Sequence, residues 1–111
     1  MDLTEISKDI TRKALEAVEI AKKTGKIKKG VNEVTKSVER GVAKLVLVAL
    51  DVNPKEIIMH LPLLCKEKNI VIIPVPSREE LGASVGLGVP TSAVSIIKEG
   101  DSKDLIKELS K

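Results

Sequence analysis

Three short, predominantly apolar runs, residues 45–50, 70–75 and 93–97, with Ser95 the one polar residue among them, are separated by stretches of helical spacing. This alternation restricts the chain to few architectures. A strand with one wet face alternates apolar and polar residues, whereas a strand apolar throughout must be covered on both faces. Buried strands alternating with helices define the α/β class, here a small sheet sandwiched between helix layers. The 111 residues suffice for one domain, not two. Phe, Tyr and Trp are absent, so the core must be built from Ile, Val, Leu and Ala. A single Cys excludes an internal disulfide, and one Cys with one His excludes a multi-ligand zinc site. No apolar run approaches the ~20 residues of a membrane span. The polar, acidic start Met1-Asp2-Leu3-Thr4-Glu5 is unlike a signal peptide. The expectation is a soluble cytoplasmic protein, monomeric when free and without a cofactor.

Local signals divide the chain further. Ile6, Ile10, Ala14, Ala17 and Ala21 recur at helical spacing and predict a helix over 4–24, with Gly25 as its stop. Residues 26–29 alternate and read as an edge strand blunted by lysines. Asn32 is the expected N-cap of a second helix reaching Arg40, with Gly41 as its stop. Residues 51–54 form a turn that puts Pro54 at the first position of a helix over 55–68, interrupted near Pro62. The second buried strand, 70–75, is ended by Pro74 and Pro76. Ser77 and Glu80 are spaced as a capping box for a short helix, followed by a glycine-punctuated loop to Pro90. Asp101 or Ser102 caps a last helix through Leu109. There is no internal repeat.

Charge is unevenly spread. Residues 22–44 hold eight bases (Lys22, Lys23, Lys26, Lys28, Lys29, Lys36, Arg40, Lys44) and two acids (Glu33, Glu39), a local +6 in a chain of net +3. Such a concentrated patch is the footprint of a polyanion partner, or else a solubilising lysine-rich surface.

Motifs for enzymatic chemistry are weak. Gly25 and Gly30 have the spacing of a phosphate loop, but Val31 follows where lysine is needed. Gly82, Gly86 and Gly88 do not form a dinucleotide fingerprint. Asp51, just past a buried strand, could accept a phosphoryl group as in a receiver domain, with Lys98 as its partner, but would need further acids to hold Mg²⁺. Its alternative role is to satisfy the turn or cap the next helix. His60 and Cys65 lack partners in the sequence for acid–base or nucleophilic work. No enzyme is expected.

Two features point elsewhere. The start of the second helix, Gly30-Val31-Asn32-Glu33-Val34-Thr35-Lys36, lies inside the basic stretch. A helix N-terminus offers free N–H groups and a positive dipole end to phosphates. Asn donates and accepts, Lys donates to guanine O6 or N7, and Glu accepts from base N–H groups. A carboxylate within a cationic patch weakens plain phosphate binding, so Glu33 hints at base reading. The plainer alternative is that Asn32 only caps and Glu33 only favours the dipole. Second, Leu87-Gly88-Val89-Pro90 is a short apolar loop that could pack against an unstacked base, or be a buried connection.

Gly30-x-Asn32-Glu33-x-Thr35-Lys36, then Glu39-Arg40-Gly41, the strand ending in Asp51, and His60-Leu61-Pro62-Leu63-Leu64-Cys65 resemble the kink-turn-binding ribosomal protein family of the L-seven-Ae type. Its members include an archaeal large-subunit ribosomal protein and spliceosomal and nucleolar relatives. The similarity runs from about residue 22 to 100. It implies a three-layer α/β/α sandwich with a four-stranded mixed sheet. It also implies binding to kink-turns, internal bulges flanked by sheared G·A pairs, in ribosomal RNA and in guide RNA, alongside the proteins of guide particles (box C/D, H/ACA, RNase P). By the family pattern Asn32, Glu33 and Lys36 read guanines, Gly30 allows close backbone approach and Arg40 contacts phosphates. Ile57, Leu87, Gly88 and Val89 would hold a flipped-out nucleotide, Arg78 would sit on phosphate beside it, and Asn53 would touch the flipped base. A further alternative is an RNA-recognition module detached from an RNA-modifying enzyme. The absence of Gln beside abundant Lys, Glu, Ile and Val is a compositional hint of a heat-adapted source.

Overall fold

A computed structural model describes residues 8–86 and 89–110. The part of the first predicted helix over residues 4–7, with Ile6, and the loop residues Leu87 and Gly88 lie outside the described residues. The element order is α1 (Lys8–Thr24), β1 (Lys26–Lys29), α2 (Val31–Glu39), β2 (Leu45–Ala49), a 3-10 turn (Lys55–Ile57), α3 (His60–Glu67), β3 (Ile72–Val75), α4 (Arg78–Ser84), β4 (Ala93–Lys98), a second 3-10 turn (Gly100–Ser102) and α5 (Lys103–Leu109).

The four strands form one mixed sheet in the order β1-β4-β2-β3. β4 runs antiparallel to both its neighbours, Lys28 facing Ser95 and Leu47 facing Val94, while β2 and β3 are parallel, with Leu47 level with Ile73. All five residues of β2 are 0% exposed. Alternate residues of a strand point to opposite faces, so both faces of the sheet are covered. α1 packs with α4 and α5, and α2 packs with α3 and the β1–β4 edge. This is the α/β/α sandwich, and its core is wholly aliphatic: Leu45, Leu47, Leu61, Leu81 and Ile96 are its largest fully buried side chains. In α1, Ala14, Ala17, Val18 and Ala21 make one buried stripe whose small side chains bring the helix close to the sheet. No helix among the described residues is long and apolar enough to cross a membrane.

Several boundaries differ from the sequence expectations. Asn32 is not the N-cap of α2; Gly30 is, with φ 91° and ψ 148°, and Asn32 is the second residue of the helix. A glycine takes this backbone conformation without Cβ strain, so the chain turns from strand to helix before Asn32 is reached. The far end of α2 is as expected. Gly41 has φ 71°, its N–H bonds to the Val38 carbonyl, and the Val42 N–H bonds to the Ser37 carbonyl, the paired bonds of a Schellman stop.

The predicted helix over 55–68 breaks at Ile58–Met59, not at Pro62. Pro62 is the third residue of α3, where a backbone N–H has no intrahelical acceptor to lose. Pro54 precedes the 3-10 turn in extended backbone instead of opening a helix. β3 is shorter than predicted and is an edge strand, and Pro74 lies within it. The N–H groups of Val46 in β2 and of Leu50 just beyond it bond to the Val71 and Val75 carbonyls. Alternation therefore turns the nitrogen of Pro74 to the outer edge, where no ladder bond is lost. Ser77 caps α4 as expected, accepting from the Glu80 N–H at 3.0 Å. Ser102 holds the N-cap position of α5 but its hydroxyl turns back to the Glu99 carbonyl.

Candidate functional site

The sheet directions gather the candidate residues at one end. β1, β2 and β3 end there and β4 begins there. Gly30 follows β1, Asp51 and Asn53 follow β2, Arg78 follows β3 and Val89 precedes β4. The Gly30 N–H donates to the Ala93 carbonyl at 2.9 Å, which pins the start of α2 to the sheet.

The first intrahelical bond of α2 runs from the Val34 N–H to the Gly30 carbonyl. The N–H groups of Val31, Asn32 and Glu33 lie ahead of it, and Gly30 brings no side chain to cap them. The helix buries Val34, Ser37 and Val38 and turns Asn32, Glu33, Lys36 and Arg40 outward. Asn32, Lys36 and Arg40 are four residues apart and share one row of the helix face. Glu33 joins them through an exposed ion pair, 3.7 Å from Lys36. A pair so exposed contributes well under ~1 kcal/mol, so both partners remain available to a ligand. Arg40 terminates the row at the far end of the helix, roughly 14 Å from its start.

An open groove runs beside this helix start. Lys29, Gly30, Val31, Asn32 and Glu33 line one side, and Glu56, Ile57 and His60 the other. Ile57 is 42% exposed, a large apolar side chain presented to solvent beside Glu56. His60 Nε2 lies 2.8 Å from Thr35 Oγ1 and so joins α3 to α2 at the groove.

The remaining candidates are more dispersed. Asn53 is exposed at the same end of the sheet but does not line the groove. Val89 is 63% exposed, so the described part of its loop is not a buried connection. Arg78 is tied to Asp51, whose Oδ1 accepts from the Arg78 backbone N–H at 2.9 Å and lies 3.6 Å from its Nε. Asp51 thus caps α4, not the helix that follows its own turn, and this structural role takes the place of phosphoacceptance. The receiver alternative fails on topology as well, because a receiver is a parallel doubly wound sheet and this sheet is mixed. Among the described residues no three acidic, His or Cys side chains gather as metal ligands near Asp51 or elsewhere. Cys65 is buried, and burial pushes its thiol up to about 11.

Glu56 and His60 are groove residues that the sequence did not reveal as such. Glu56 precedes Ile57 in a turn read as regular helix, so no periodicity placed it. The signal for His60 was the hydroxyl of Thr35, reachable only once the packing of α3 on α2 is known.

A model of the ribosomal protein L7Ae/L30e/S12e/Gadd45 family matches residues 12–106. Among solved structures the chain is similar to the Giardia lamblia 15.5kD RNA binding protein. The two are 33% identical with a TM-score of 0.89, over 95% of this chain and 88% of that one.

Proposed function

The chain belongs to the ribosomal protein L7Ae/L30e/S12e/Gadd45 family, and from that premise we propose that it binds RNA within ribosomal or other ribonucleoprotein particles and selects kink-turns. The observation that carries this reading is the start of α2. Amide, carboxylate and ammonium side chains stand exposed within two turns, at an uncapped helix N-terminus beside a lysine-rich strand. A-form RNA hides its base edges in a deep, narrow major groove. A kink with sheared G·A pairs opens those edges, and Asn32, Glu33 and Lys36 carry the donors and acceptors that match guanine.

Around them, Gly30 leaves room for backbone to approach and Arg40 takes phosphate. Ile57 with the loop of Leu87, Gly88 and Val89 shelters the flipped nucleotide in place of an aromatic platform. Asn53 touches that base and Arg78 the phosphate beside it. The protein acts by binding the kinked conformer better than the extended one, without catalysis. Its homes are the large ribosomal subunit and the guide particles of RNA modification, in the cytoplasm, and it is a monomer when free.

Gel shifts on a kink-turn and on a straight duplex of equal length test the proposal. Tight binding to the first and weak binding to the second is expected. Glu33→Ala should lose the discrimination. Lys29→Ala should weaken both and lower the salt slope by roughly one. Equal affinity of the unaltered protein for the two RNAs refutes the proposal.

A further inference from the structure

We propose that His60 is a positioning residue for RNA recognition, acting through Thr35 to set the start of α2 against the far wall of the groove; this rests on the function proposed above. The chemistry follows from counting one proton. Thr35 Oγ1 donates to the Val31 carbonyl at 2.7 Å, and a hydroxyl has a single proton to give. Towards His60 Nε2, 2.8 Å away, the same oxygen can only accept. Nε2 therefore carries the hydrogen, and the tautomer protonated on Nδ1 alone is excluded.

The resulting relay runs from the first residue of α3, through Thr35, to the carbonyl of the first residue of α2. Asn32 and Glu33 are the next two residues of α2. Ile57, three residues before His60 in the chain, stands on the same wall as His60, across the groove from them. The relay thus fixes the separation between the base-reading edge and the apolar shelf. His60 is exposed, and no side-chain N or O atom is left buried and unsatisfied among the described residues. The bond is not required to rescue a buried polar group, which leaves geometry as its contribution.

The test uses which nitrogen is mimicked. Gln places its amide nitrogen at about the position of Nε2, whereas Asn places it nearer Nδ1. His60→Gln should keep the unaltered affinity for a kink-turn within about twofold. His60→Asn and Thr35→Val should each lose about three- to tenfold, the value of one neutral hydrogen bond. The double variant His60→Asn/Thr35→Val should lose no more than either alone, and straight-duplex binding should be unchanged throughout. The chain has one histidine, so the imidazole nitrogen spectrum needs no assignment. In the free protein it should show a proton held on Nε2 that exchanges faster in Thr35→Val. Equal affinities of the Gln and Asn variants, or equal losses on kinked and straight RNA, overturn the inference while the kink preference of the unaltered protein stands. Loss of that preference in the unaltered protein sinks the functional reading instead.

Discussion

Gly30→Ala isolates the contribution of a single backbone conformation. Gly30 has φ 91° and ψ 148°, and a Cβ built on it meets no atom within 4 Å. Substitution therefore adds no clash with a neighbour; the cost is the residue's own strain, on the order of 1–3 kcal/mol. For a domain of this size each kcal/mol is about 4 °C in Tm, so a fall of roughly 4–12 °C is expected. Gly41→Ala is the matched control, because Gly41 has φ 71°, equally open space and the opposite end of the same helix. An alanine in left-handed backbone costs about 1–2 kcal/mol, or roughly 4–8 °C. Calorimetry gives both shifts and a gel shift gives the RNA affinities. Gly41→Ala should melt lower yet bind a kink-turn normally at 25 °C, while Gly30→Ala should lose stability and binding together, because the helix entry and the base-reading turn are one structure. A Tm change under about 1 °C for Gly30→Ala refutes the strain argument. Equal binding by the two variants refutes the link between Gly30 and the site.

Two further outcomes test the core. Leu47→Ala, at the centre of the sheet and 0% exposed, should cost about 2–5 kcal/mol in urea unfolding, whereas Leu63→Ala, 64% exposed, should change stability by less than about 0.5 kcal/mol. Cys65 has its thiol pushed from 9.0 to about 11 by burial, so the folded chain keeps a proton that the unfolded chain releases. Stability should fall as pH rises from about 9 towards 11, by up to roughly 2–3 kcal/mol. Denaturation at pH 8 and pH 10.5 should show this loss in the unaltered protein and a smaller one in Cys65→Ala; parallel losses would remove the buried thiol as its cause.

The parts of the fold that could be read from sequence are those set by repetition of one property. The buried strands β2 and β4 announce themselves because neither face can tolerate a polar residue, save Ser95, whose hydroxyl meets that of Ser37 at 2.9 Å. The alanine stripe of α1 is equally plain. What failed were choices between two acceptable residues. Asn32 is a good cap by propensity, but one glycine earlier permitted a sharper entry. Pro62 looked like a helix breaker, yet three residues into a helix it breaks nothing. Pro74 looked like a strand end, yet on an outer edge it costs no bond. In the site, the contrast of Glu33 with its cationic surroundings marked the helix start, and Asn32, Glu33 and Lys36 do face outward together. The grouping of Glu56, Ile57 and His60 across from them depends on how a 3-10 turn and α3 meet α2, a relation between distant segments that no local pattern encodes.

The two margins of the sheet are closed to self-association by different means. β1 presents Lys26, Lys28 and Lys29 along its length, so another copy laid beside it would bring like charges together. β3 presents Pro74, which has no hydrogen to donate, and its carbonyl already accepts from Thr11 Oγ1. Both devices oppose the pairing of a second copy along these margins, which protects a sheet so apolar from edge-to-edge growth.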